Sequence, residues 1–154
     1  MKICVFGASG RTGRAVLELA GAAGHVATAV ARSPEKLADA GAPVVQASLD
    51  DADALRRAVR GQDAVISTLG TVDRKQNTVL SEGTRAIIEA MKAEDVRRFV
   101  VVTSLGCRES VKLIRSFIFR ELIVKRLAKQ IWADKNRQEE VIEASGLDYT
   151  IVRP

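Results

Sequence analysis

The sequence predicts an α/β fold, a parallel sheet covered by helices on both faces, and three observations carry that prediction. Short β-rich apolar runs alternate with longer amphipathic stretches, the order that builds parallel strands joined by crossover helices. A glycine-rich turn links the first run to the first amphipathic stretch. The 154 residues are 47% apolar and 28% charged, enough for one buried core without disulfide or metal staples, so a single domain over 1–154 is expected.

Taken in order, the strands are read at Lys2–Phe6, Val26–Ala31, Val44–Gln46, 64–68, 99–103 and 149–152. The first helix spans about 13–23 and stops at Gly24. A short second helix starts at Pro34, a residue suited to a first helical turn. Asp50 or Asp51 can cap the third, which ends near Gly61, and Asn77 or Ser81 starts a fourth that runs to about Glu94. A last helix is expected over about 134–145, stopped by Gly146. Right-handed crossovers then give a doubly wound, three-layer α/β/α sheet of Rossmann type with strand order 3-2-1-4-5-6.

In such a sheet a ligand sits at the carboxyl ends of the strands. The single histidine, His25, enters the second strand at the opposite edge and is read as structural, as is Tyr149 at the start of the sixth. The segment Gly7-Ala8-Ser9-Gly10-Arg11-Thr12-Gly13 lies at the favoured edge. Its glycines permit a tight turn and close backbone approach, and the helix it opens presents free amides and a positive dipole end to a pyrophosphate. Where NAD-specific folds place an acidic residue after the second strand, this chain has Ala31-Arg32-Ser33-Pro34-Glu35-Lys36. A guanidinium there can pair with a 2′-phosphate, so NADP(H) is preferred over NAD(H); Lys36 and Arg11 either add charge nearby or are solvated cations.

These segments carry a resemblance. GASGRTGRAVLELA, ARSPEKL, GQDAVISTLGT, VVTSLG and SGLDYTIVRP together resemble the atypical short-chain dehydrogenase/reductase superfamily, in its NAD(P)H-binding group of flavin reductase (biliverdin reductase B)-like and NmrA-like proteins. The resemblance implies phosphate contacts from Gly7, Ser9, Gly10, Arg11, Thr12 and Gly13, with Arg32 and Lys36 at the 2′-phosphate. It implies that Ser48 and Leu49 flank the adenine and that Leu69, Gly70 and Thr71 pass beneath the coenzyme. Relatives commonly carry Gly-Asp where this chain has Ala47-Ser48, so a hydroxyl replaces an accepting carboxylate. Thr103 and Ser104 match the active-site serine position, and the tyrosine and lysine of standard short-chain dehydrogenases fall on Ile131 and Lys135. Without the tyrosine, ketone reduction lacks its usual proton donor. The resemblance therefore implies an NADPH-dependent reductase of a flavin, quinone or similar planar acceptor, with Ser104 and Lys135 as catalytic residues. A non-catalytic NADP(H) sensor of NmrA type and an epimerase-like activity stay open.

Composition narrows the partners. With four Phe, one Tyr and one Trp, a base-stacking surface for nucleic acid is not expected. The net charge of +5 is local: 111–133 holds six basic residues and one acid, leaving 18 of each sign elsewhere. That segment also carries an apolar stripe (Leu113, Phe117, Val124, Leu127, Ile131) and is read as core or lid, a dimer face, or a membrane-surface helix; six cations argue against a membrane span. The two cysteines, Cys4 in a buried strand and Cys107 in an exposed loop, suggest neither disulfide nor metal site. Met1 runs straight into a strand with no leader. A cytoplasmic, monomeric or dimeric protein acting on a small-molecule acceptor is expected. In the resembling family further residues follow the sixth strand and help form the substrate site, so the chain is either shorter at its C-terminus or open at its pocket.

Overall fold

The structure, a computed structural model, describes residues 1–70, 78–114 and 129–154. Six strands, β1 (Lys2–Phe6), β2 (Val26–Ala31), β3 (Val44–Gln46), β4 (Ala64–Ser67), β5 (Arg98–Val102) and β6 (Asp148–Val152), form one parallel sheet in the order β3-β2-β1-β4-β5-β6. This is the expected Rossmann order. The first three strands match the sequence reading residue for residue, β4 and β6 differ by one residue at one end, and β5 is shifted by one residue at both.

Strand alternation explains the layers. Along β1, Ile3 and Val5 face one side of the sheet with Leu17 and Ala20 of α1 (Arg11–Ala22). Cys4 and Phe6 face the other side, with Leu55 and Val59 of α2 (Ala52–Val59), Ile87 and Met91 of α3 (Val79–Ala93), and Ile142 of α4 (Lys129–Glu143). A strand covered on both faces must be apolar at every position, which is why β1 reads as an unbroken run. Gly24, at φ +76°, ends α1 in a conformation that costs glycine little.

Three local expectations change. Cys107 is completely buried instead of lying in an exposed loop, because the chain after β5 turns inward and winds into a 3-10 helix, Arg108–Leu113. Burial pushes its thiol up to about 11. Helix α4 begins at Lys129, so 129–133, read as the end of the basic segment, already belongs to it. Helix α3 is flanked by Thr78, with Ser81 in its third position; Asn77 lies outside the described residues. Asp51 caps α2 as read, accepting from the Ala54 N–H at 2.9 Å. Among the described residues no helix is long and apolar enough to cross a membrane, and no group of three His, Cys, Asp or Glu could hold a metal ion. Residues 115–128, the centre of the basic apolar segment, lie outside the description.

Candidate functional site

The first turn is built around missing side chains. A Cβ on Gly7, at φ +73°, would lie 2.8 Å from the Thr68 carbonyl carbon, and one on Gly13 would lie 2.4 Å from the Gly7 carbonyl oxygen. Any side chain at either place forces β4 or α1 away from the turn. The closeness is used: Thr68 Oγ1 donates to the carbonyls of Phe6 at 3.0 Å and Gly7 at 3.2 Å, tying the end of β4 to the turn. The Gly10 N–H donates to Gly7 at 3.0 Å, and α1 starts on Gly10 with no side-chain cap and no acid in its first turn. Ser9, Gly10, Arg11 and Thr12 are exposed.

This turn forms one side of a cleft of about 630 Å³. Gly7, Ser9, Gly10, Arg11 and Thr12 line it, as do Arg32 beyond β2, Leu49 beyond β3, and Leu69 and Gly70 beyond β4. Phe6, Val30, Ala31, Ala47, Val79 and Leu80 supply apolar wall. Among the described residues that line it are two arginines and no carboxylate, so the cleft suits a polyanion with an apolar moiety. A dinucleotide fits those features: the cradle a Cβ would fill admits a pyrophosphate, and the apolar wall admits an adenine.

Other predicted residues lie elsewhere. Gly13 is buried behind the turn, where it lets α1 pack on β1. Lys36 is exposed in the 3-10 turn Pro34–Leu37, off the cleft wall; Arg14 holds its carbonyl and pairs with Asp39 at 2.9 Å, bracing that turn against α1. Ser48 is exposed, and its hydroxyl, hydrogen-bonded to Asp50, draws that carboxyl below its ordinary range. Thr71 lies outside the described residues. His25 sits at the opposite edge within 3.5 Å of the amino terminus, and Tyr149, on the edge strand, is 39% exposed and so only partly packed.

Beyond β5 a second group forms. Lys135 Nζ donates to the Thr103 carbonyl at 3.1 Å, and Thr103 Oγ1 donates to Glu139 Oε1 at 2.7 Å. Burial holds the Lys135 ammonium below its ordinary pKa, against the nearby carboxylates of Glu139 and Asp134. Ser104 is half-buried beside it, and Ile131 occupies the position one helical turn before Lys135. Neither Ser104 nor Lys135 lines the cleft.

Sequence reasoning missed Thr68, Asp134, Glu139 and Arg153. Asp134 is the least obvious: fully buried on α4, it accepts from the Leu80 N–H at 2.8 Å, the Ser81 N–H at 3.3 Å and the Ser81 hydroxyl at 2.5 Å, closing the start of α3 from a neighbouring helix. The available signal was the spacing of Asp134, Lys135 and Glu139 on one helix.

Comparison with known proteins agrees with this geometry. Residues 7–154 match the model of an NAD(P)H-binding family. A sugar epimerase of Bacillus subtilis, described as uncharacterized and named YhfK, is 31% identical over 163 residues, spanning 100% of this chain and 71% of that protein. A Rossmann-fold NAD(P)-binding family protein from Shigella flexneri is 31% identical, with a TM-score of 0.68 over 99% of this chain and 66% of that one. ChuY, an anaerobillin reductase from Escherichia coli O157:H7, is 27% identical, with a TM-score of 0.79 over 100% of this chain and 72% of that one. The chain therefore spans about two thirds of these proteins' lengths. It belongs to the NAD(P)H-binding family, among oxidoreductase- and epimerase-like proteins.

Proposed function

We propose that this member of the NAD(P)H-binding family holds NADP(H) in the cleft and reduces a planar conjugated acceptor such as a flavin or quinone. The observation that carries the coenzyme half is the cleft wall, where Arg11 and Arg32 stand without an opposing carboxylate among the described residues. Arg32, just past β2, offers a guanidinium fork to the 2′-phosphate, and the uncapped start of α1 offers its amides and dipole to the pyrophosphate. Leu49 and Ala47 give the adenine an apolar bed.

Lys135, Ser104 and Ile131 support the catalytic half. When bound, the coenzyme supplies the hydride. Lys135 holds the nicotinamide ribose, and Ser104 donates a hydrogen bond to the acceptor. Ile131 provides no acidic hydrogen where a tyrosine would supply one, which favours acceptors that collect their proton from water over ketones. That ChuY is an anaerobillin reductase supports reduction over epimerisation.

The test is NADPH oxidation by the purified protein over a panel of flavins and quinones, with titration calorimetry of NADPH and NADH. Turnover with at least one acceptor and tighter binding of NADPH are expected. Binding that distinguishes NADPH from NADP+ without any turnover would replace the enzyme with a redox sensor, and tighter binding of NADH would remove the role of Arg32.

A further inference from the structure

Every polar group of Thr103 is engaged inside the protein. Its N–H donates to the Val152 carbonyl at 2.8 Å, its carbonyl accepts from Lys135 Nζ at 3.1 Å, and its hydroxyl donates to Glu139 Oε1 at 2.7 Å. Lys135 and Glu139 are four residues apart on α4, hence neighbours on one face, and both grip this single residue at the end of β5. Glu139 is fully buried, and Arg153 engages both of its oxygens: Nε reaches Oε1 at 3.0 Å and one terminal nitrogen reaches Oε2 at 2.7 Å. The other terminal nitrogen of Arg153 reaches Glu109, beyond β5, at 2.7 Å. A carboxylate taken wholly out of water is tolerated only with partners of this kind.

We propose that Glu139, anchored by Arg153, is a positioning residue of the coenzyme site: through Thr103 it fixes the Ser104 peptide and the Lys135 ammonium for the nicotinamide half of the coenzyme. This rests on the reading that NADP(H) occupies the cleft. The carbonyl that Lys135 holds belongs to the peptide joining Thr103 to Ser104, and a peptide is planar, so its orientation sets the first atoms of Ser104. Lysine is a flexible four-carbon stem, and one well-fixed acceptor removes much of that freedom. The acceptor is itself fixed because the hydroxyl of the same residue is tethered to Glu139. Thr103 and Glu139 are buried and spend their side-chain polar atoms on each other and on Arg153, so they act through Ser104 and Lys135 and not as ligands.

Calorimetry with two ligands tests this. NADPH carries both halves of the coenzyme, whereas adenosine 2′,5′-bisphosphate carries only the adenosine half. Glu139→Gln and Thr103→Val are expected to weaken NADPH about tenfold, the order of one lost hydrogen bond, and to leave the bisphosphate within about twofold. Thr103→Ser restores the hydroxyl and is expected to restore NADPH affinity. Equal weakening of both ligands, no weakening of either, or identical behaviour of the valine and serine variants overturns the proposal while leaving the coenzyme reading intact. A wild-type chain that takes up neither ligand overturns both. Should Glu139→Gln fail to fold, the Thr103 pair decides.

Discussion

Helices α1 and α3 both begin beside the cleft, and their first turns are completed in opposite ways. Helix α1 starts on Gly10 with no capping side chain, and the turn before it is exposed. Helix α3 starts with Val79 and Leu80 on the cleft wall, but Asp134 of α4 has taken its first amides and the Ser81 hydroxyl. Each helix start concentrates roughly half a positive charge and several unpaired donors. At α3 the protein satisfies the Leu80 and Ser81 amides itself; at α1 no side chain caps the first turn. The contrast makes the cleft one-sided, with donors for an anion along one wall and hydrocarbon along the other. Where an anion binds is thus decided by which helix start the protein leaves open.

The largest expected effect tests the open start. Gly13→Val puts atoms where a Cβ alone would lie 2.4 Å from the Gly7 carbonyl oxygen, so α1 must back away from the turn. NADPH affinity is expected to fall at least about 100-fold, roughly 3 kcal/mol, in calorimetry; unchanged binding would end the comparison. The closed start comes next. Asp134→Ala orphans two amides, while the Ser81 hydroxyl keeps the Thr78 carbonyl at 3.1 Å, and is expected to lower stability by about 2 kcal/mol in denaturant unfolding. If it also creates an anion site, added phosphate will raise the melting temperature of the variant more than that of the wild type.

Arg32→Ala sharpens the open side, with NADPH expected to weaken about tenfold, roughly 1.4 kcal/mol, and NADH to change little. A smaller effect is expected at α2, whose start is closed by its own residue: Asp51→Ala should cost about 1 kcal/mol of stability and leave coenzyme binding alone. The last prediction concerns Glu94, at the far edge of the sheet. The guanidinium of Arg60, 2.8 Å away, foremost among its partners with Arg56 at 3.0 Å, draws its carboxyl down from 4.5 to about 2. A folded-state value below the unfolded one stabilises above pH 4.5, and that contribution is lost as pH falls towards 2. Glu94→Gln is expected to flatten the stability profile in that window without altering NADPH affinity at neutral pH.

The parts of the cleft legible in sequence share one property, that their chemistry is local. Gly7, Gly10 and Gly13 recur at a spacing only a strand-turn-helix explains, and the bounds of β1, β2 and β3 coincide with the apolar runs that announce them. Arg32 could be found by counting to the end of β2. Lys135, which the family resemblance placed four residues after Ile131, stands off the cleft wall. Thr103 shows the limit: its place at the end of β5 was readable, but a hydroxyl turned to Glu139, and thus away from the cleft, was not.

By itself, then, the chain determined the parallel sheet, its strand order and the glycine turn, because hydrophobic periodicity and backbone conformation depend on residues a few positions apart. Tertiary structure alone decided which helix start would stay open, which way Thr103 would point and that Cys107 would be buried. The first two outcomes rest on Asp134 meeting Leu80 across 54 residues and Glu139 meeting Thr103 across 36. Contacts at such separations leave no periodic trace in the sequence, since any of several carboxylates on α4 could have made them until helix packing selected one.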